Sequence, residues 1–84
     1  MQHAYHFAAR LHFSTPIFEP RERIQHDSVH VDGILTTDKP ITTPEHLAAA
    51  RQATLDDAVA DLEKNSPNIC RVNFRLDFTS LTRM

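Results

Sequence analysis

The sequence predicts a small α+β domain, in which a three-stranded antiparallel sheet carries one helix packed on one face. Three observations support this fold class. Two segments alternate apolar and polar residues with a period of two, a shorter β-branched segment lies between them, and one segment has the helical period. The 84 residues are enough for one domain, over residues 1–84, and for no more.

The first predicted strand covers residues 3–13. Its odd positions read His, Tyr, Phe, Ala, Leu and Phe, whereas its even positions are polar, basic or small. A strand with one face on a core and the other in water has this alternation.

Residues 14–27 follow without any period. Pro16 and Pro20 interrupt the segment, and it is longer than the median of about 4–6 residues for a connection in a compact domain. We therefore predict a protruding loop, unless Pro20 begins a single helical turn that runs through Ile24.

A second strand is predicted over residues 28–37, with Asp32-Gly33 at its middle. This dipeptide is a strong signal for a two-residue hairpin turn. It is also compatible with a β-bulge, in which glycine takes the left-handed conformation. The apolar residues change from odd to even positions across Gly33, which favours the bulge.

A helix is predicted over residues 44–64. Thr43 suits the N-cap, Pro44 the first helical position, and Asn65-Ser66-Pro67 ends the segment. The apolar stripe weakens near Thr54, which is compatible with a second helix beginning there; we favour one continuous helix.

The last strand is predicted over residues 69–79, with Cys70, Val72, Phe74, Leu76 and Phe78 on its inward face. The elements then follow the order ββαβ. A helix that joins two strands of one sheet allows the long first strand to lie between them, so the predicted strand order is 2-1-3. The predicted core contains Tyr5, Phe7, Leu11, Phe13, Val29, Val31, Leu47, Leu55, Val59, Leu62, Val72, Phe74, Leu76 and Phe78.

The composition excludes several classes of function. The formal charge of −2 is unusual for a dedicated nucleic-acid-binding domain, and one glycine is too few for a glycine-rich phosphate loop. No Cys-x-x-Cys or His-Glu-x-x-His spacing occurs, and Cys70 is predicted to be a core residue. We therefore expect no catalytic activity, no metal and no cofactor.

The composition also bears on location and assembly. The sequence has neither a signal-peptide pattern nor an apolar stretch near the about 18 residues of a membrane span. A single cysteine is typical of a cytoplasmic protein, and we expect no membrane contact. The small core makes a homodimer plausible.

The segment 14–27 is the candidate partner-binding site. Ile17 and Phe18 are adjacent apolar residues, and Arg21 and Arg23 follow them. Aromatic and arginine side chains are enriched in the energetic centres of protein interfaces. In the alternative, which the sequence slightly favours, Ile17 and Phe18 fold back and close one end of the core.

A second candidate site is the uncovered face of the sheet. Arg10, His12, Arg71 and Arg75 are predicted to share that face and to make it weakly basic. A nucleic acid is the partner that this face suggests, although the outward positions lack the aromatic residues on which RNA-binding sheets stack bases. A nucleic-acid partner is therefore the less favoured alternative.

Three segments carry a family resemblance. They are residues 5–11 (Tyr-His-Phe-Ala-Ala-Arg-Leu), residues 31–34 (Val-Asp-Gly-Ile), and residues 40–42 (Pro-Ile-Thr) leading into a helix. In this outline the chain resembles small accessory proteins carried by bacteriophages, prophages and mobile elements. The resemblance implies a non-catalytic inhibitor of a host protein or nucleoprotein complex, like the anti-CRISPR proteins, which act by occluding a surface.

Overall fold

The computed structural model describes residues 2–84 and contains three strands and one helix within them. Strand β1 spans His3–Ile17, β2 spans Arg23–Thr37, helix α1 spans Pro44–Asn65 and β3 spans Val72–Arg83. The strands form one antiparallel sheet in the order β2-β1-β3. The predicted fold class, the element order ββαβ and the strand order 2-1-3 are therefore confirmed.

Strand β1 lies at the centre of the sheet and supplies most of the core. Its odd-numbered side chains face α1, and Leu11 lies opposite both Val29 of β2 and Leu76 of β3. Leu11 and Leu76 are the large side chains that are fully buried within residues 2–84. The buried core cluster consists of Phe7, Ala9, Leu11, Phe13 and Leu76, packed against partly buried residues of β2, α1 and β3.

Helix α1 begins and ends where the sequence predicts. The Thr43 hydroxyl accepts a hydrogen bond from the His46 backbone N–H at 3.2 Å, and Pro44 occupies the first turn. The helix continues through Thr54, whose buried hydroxyl donates to the Ala50 carbonyl oxygen at 2.8 Å and so has a partner inside the helix. One continuous helix is therefore confirmed.

The predicted loop over residues 14–27 is wrong in its larger part. Strands β1 and β2 pair without interruption from His3↔Thr37 to Ile17↔Arg23, so the connecting turn is confined to residues 18–22. Pro16 is tolerated because β3 pairs with β1 only as far as Ser14, so β1 has a free side at the proline. We call residues 15–25, the two-stranded end of this hairpin with its turn, the arm.

The arm makes the molecule elongated. The principal extents of the Cα trace are 53 × 23 × 16 Å, and a strand of 15 residues is roughly 50 Å long. The segment lacks a hydrophobic period because neither of its faces has a core to cover. It therefore resembles a loop in sequence.

Neither interpretation of Asp32-Gly33 is correct. Both residues lie within the regular β1–β2 pairing, Asp32 opposite Ala8 and Gly33 opposite Phe7, and Gly33 does not have a positive φ. A Cβ atom at Gly33 would lie 3.4 Å from the Phe7 ring. Gly33 therefore lies beside an aromatic ring within a regular strand and does not form a turn.

The bulges lie in the β1–β3 pairing. The register shifts between Ala8 and Ala9 and again between His12 and Ser14, and Asn73 has a φ of 59°. Asparagine tolerates this left-handed conformation better than most residues. After the second shift Val72 pairs with Ser14, which reverses its side.

Two residues that were predicted to point into the core, Val72 and Cys70, are exposed, so the prediction is wrong for them. Val72 is 38% exposed, and Cys70 is exposed and precedes the strand. Phe74, Leu76 and Phe78 do belong to the core or pack against it, as the alternation predicts.

The inward and outward faces of β3 lead to a stability prediction. Leu76→Ala should lower the free energy of unfolding by about 2–5 kcal/mol, because it leaves a cavity beside Leu11. Its neighbour Arg75 is exposed, and its ion pair with Asp77 at 3.4 Å is a surface pair, so Arg75→Ala should cost less than about 1 kcal/mol. Thermal unfolding followed by circular dichroism measures both; equal losses would contradict the assignment of faces.

The conformation of Gly33 leads to a second prediction. Gly33→Ala should stabilise the protein by about 0.4–1 kcal/mol, because alanine fits this backbone and reduces the entropy of the unfolded chain. The new methyl group would make an ordinary contact with the Phe7 ring. A bulge or turn with a left-handed glycine would give the opposite sign, so a lowered melting temperature would reject the regular pairing at Gly33.

Candidate functional site

The arm extends beyond the helix-covered body of the molecule and presents apolar side chains to solvent. Phe18, at the start of the turn, is 69% exposed, and Ile24 is 61% exposed. Ile17 is half-buried opposite Arg23, and Ile24 lies opposite Pro16 on the other face of the ribbon. Apolar surface is thus present on both faces and at the end of the arm.

Charged residues surround this apolar surface. Arg21 and Arg23 are exposed, and Glu19 and Glu22 lie in the same turn. The prediction that Phe18 folds back into the core is wrong, because its ring is mostly solvent-exposed. All four predicted contact residues, Ile17, Phe18, Arg21 and Arg23, lie at the end of the arm.

The second candidate site is the face of the sheet opposite α1, here called the open face. The even-numbered residues of β1 and β2 lie on it, and polar contacts cross it in pairs. Arg10 donates to the Ser28 hydroxyl at 3.1 Å, and the Ser14 hydroxyl is hydrogen-bonded to His26 Nδ1 at 3.0 Å.

Two aspartates balance the arginines of the open face. Asp77 contacts His12 and Arg75, each at 3.4 Å, and Asp32 contacts His30 at 3.2 Å. These pairs are largely exposed, so each contributes little to stability. Their carboxylates nevertheless reduce the positive potential that a phosphate backbone would need.

The prediction that Arg71 shares the open face is wrong. Its guanidinium carbon lies 5.4 Å from the centroid of the Phe13 ring, in a cation–π contact, and its Nη1 donates to the Ser66 carbonyl oxygen at 3.4 Å. Arg71 thus covers the core beside the end of α1. Of the predicted basic set, Arg10, His12 and Arg75 remain together on the open face.

A groove that the sequence did not predict runs between α1 and β2 on the helical side of the sheet. It encloses about 920 Å³. Val29, Val31 and Leu35 form its floor, and Ala53 and Asp57 are among its helical walls. The groove exists because α1 packs mainly toward β3 and leaves β2 partly uncovered. The small alanines facing it were a possible signal, because small side chains leave space beside a helix.

Within residues 2–84, no group of three or more His, Cys, Asp or Glu side chains converges on one point that could hold a metal ion. No helix in this described part of the chain combines the length and apolarity needed to cross a membrane. Comparison with protein-family models, with curated proteins and with solved structures found no match to this chain.

Sequence reasoning found the end of the arm but missed Ile24 as a contact residue, because it placed Ile24 either in a protruding loop or in a single helical turn. Pro16 and Ile24 lie opposite each other on one face of the arm, and this relation becomes visible only once the two strands are paired.

The exposure of Phe18 predicts how its truncation affects folding. Phe18→Ala should change the free energy of unfolding by less than about 0.5 kcal/mol, because the ring contributes little buried area. The matched variant Phe13→Ala should cost about 3–5 kcal/mol, since Phe13 belongs to the core cluster. Urea titrations of both proteins give the comparison. A large loss in Phe18→Ala would show that the ring packs on the body in solution.

Proposed function

We propose that this chain is a non-catalytic cytoplasmic protein that binds a protein partner through the end of its arm. Ile17, Phe18, Arg21 and Arg23 are the contact residues of this proposal, and Ile24 joins them. The observation that carries it is the exposure of Phe18 and Ile24 on a hairpin that extends past the folded body. The resemblance to proteins of mobile elements extends the proposal to inhibition of a host protein or nucleoprotein complex by occlusion.

The chemistry of the arm supports a protein partner. An exposed phenylalanine followed by two arginines combines a large apolar area with donors for carboxylates, which is the composition of interface hot spots. Glu19 and Glu22 make the turn nearly neutral, so phosphate attraction would be weak. A partner that fits would have an apolar pocket with carboxylates at its rim.

The shape of the arm supports the same conclusion. Its backbone is held by pairing with the neighbouring strand up to Ile17 and Arg23, so only the short turn has to be ordered on binding. Preorganisation of this kind lowers the entropic cost of association. A protruding hairpin also reaches a concave surface that the flat sheet cannot enter.

The test compares partner capture by the wild-type protein with capture by Phe18→Ala. Tagged proteins are used to pull down partners from the source cell, the partners are identified by mass spectrometry, and the affinity of the leading partner is then measured with purified components. Phe18→Ala should weaken binding at least about thirtyfold, which corresponds to about 2 kcal/mol, while the melting temperature stays unchanged. Arg21→Ala should weaken it in the same direction.

Ile69→Ala is the matched control, because Ile69 is 47% exposed but lies outside the arm. It should leave the affinity unchanged. Equal affinity of wild-type protein and Phe18→Ala would contradict the proposal. Binding to nucleic acid that falls steeply with salt and is lost in Arg10→Ala and Arg75→Ala would replace it with the open-face alternative.

A further inference from the structure

We propose that β2 is a self-association edge, through which two copies of this chain pair β2 against β2 and form one continuous six-stranded antiparallel sheet. This inference concerns a different surface from the arm and does not depend on the proposed function. It begins from the two edges of the sheet, β2 and β3, which differ sharply.

The β3 edge is interrupted. Two register shifts disturb its pairing with β1, and Asn73 lies in the left-handed region. Natural sheets use bulges and irregular strands of this kind to prevent pairing with another chain. The charged residues Arg75, Asp77 and Arg83 also lie along this strand.

The β2 edge also carries charged residues, Arg23, Asp27 and Asp32, but it has no bulge or left-handed residue. Its 15 residues include no lysine and no proline, and its pairing with β1 is regular along the whole strand. Within residues 2–84 it pairs with β1 alone, so its other side offers a long row of backbone donors and acceptors. Such an edge is a template for a further strand.

The space beside β2 is open on the helical side. Because α1 packs mainly toward β3, the groove over Val29, Val31 and Leu35 ends at the free edge. A second β2 strand can therefore approach without meeting the helix. Ile34, on the open face of the same edge, is 59% exposed, so a strand added beside β2 would cover part of an apolar side chain.

The residues of β2 select a second copy of the chain as the occupant. With a two-fold axis at Val31, this residue lies opposite its equivalent, and His30 of each copy lies opposite Asp32 of the other. Both residues are exposed on the open face, where His30 contacts Asp32 of its own chain at 3.2 Å, and the pairing adds a carboxylate acceptor from the second copy beside each imidazole. An axis at His30 or at Asp32 would place identical polar residues against each other.

The same arrangement suits the helical face. Val29 lies opposite Gly33 of the second copy, so a branched side chain meets the residue with most space. The two-fold axis closes the assembly at two copies, because each β2 edge is used once. The interaction therefore predicts a dimer and not a filament.

Sedimentation velocity over a concentration series tests the proposal, with reducing agent present so that the exposed Cys70 thiol cannot cross-link the copies. The wild-type protein should sediment as a dimer in reversible equilibrium with the monomer. His30→Asp should raise the dimer dissociation constant at least about tenfold, because it places two carboxylates opposite each other at two positions. The double variant His30→Asp with Asp32→Lys should restore dimerisation.

Ser80→Asp is the control, because it adds the same charge at an exposed position on the β3 edge. It should leave the dissociation constant unchanged. Ile34→Lys, a second variant at an exposed position of β2, should also weaken the dimer. It tests the proposal independently if His30→Asp fails to fold, and circular dichroism verifies the fold of each variant. A wild-type monomer at all concentrations, oligomers larger than the dimer, or dimers insensitive to both edge variants would overturn the proposal.

Discussion

The whole structure depends on β1. This strand pairs with a neighbour on both sides, and two of its side chains contact the segments that lead into and out of α1. Near its start, the Tyr5 hydroxyl accepts a hydrogen bond from the Ile41 backbone N–H at 2.8 Å, just before α1. Near the end of the core, the Phe13 ring lies under Arg71, just after α1. Two aromatic side chains of one strand therefore fix where the helix begins and where the chain leaves it.

The sequence predicted the elements wherever burial imposes a period. The alternation of β1 over its first eleven residues, the helix from Pro44 and the inward residues Phe74, Leu76 and Phe78 all cover the same core. The arm has no such period, because neither face of its two strands packs against a core. Its strands were therefore not predicted from the sequence. The bulges of β3 were equally invisible, since a residue inserted into one strand changes the pairing without leaving a mark in composition.

The candidate site shows a similar division. The chemical character of the arm, aromatic beside arginine, was readable from Phe18 and Arg21, whereas its shape was not. The groove beside β2 follows from the lateral position of α1, for which the small alanines of the helix were a signal without direction. The assignment of Arg71 failed for a different reason. The alternation of odd and even positions assigns a side chain to a face only within a regular strand. Arg71 precedes β3, which begins at Val72, so the alternation does not apply to it.

The arm also separates the residues proposed to bind a partner from the residues that stabilise the fold, two functions that often share residues in a small protein. Residues 18–22 have no partner strand and support no core side chain, so their replacement leaves the packing around Leu11 unchanged. Sequence change at this turn is therefore nearly free of a folding penalty, whereas change within the first half of β1 is not. A chain built in this way can acquire a new binding specificity through substitutions in one short turn while the scaffold that presents it stays the same.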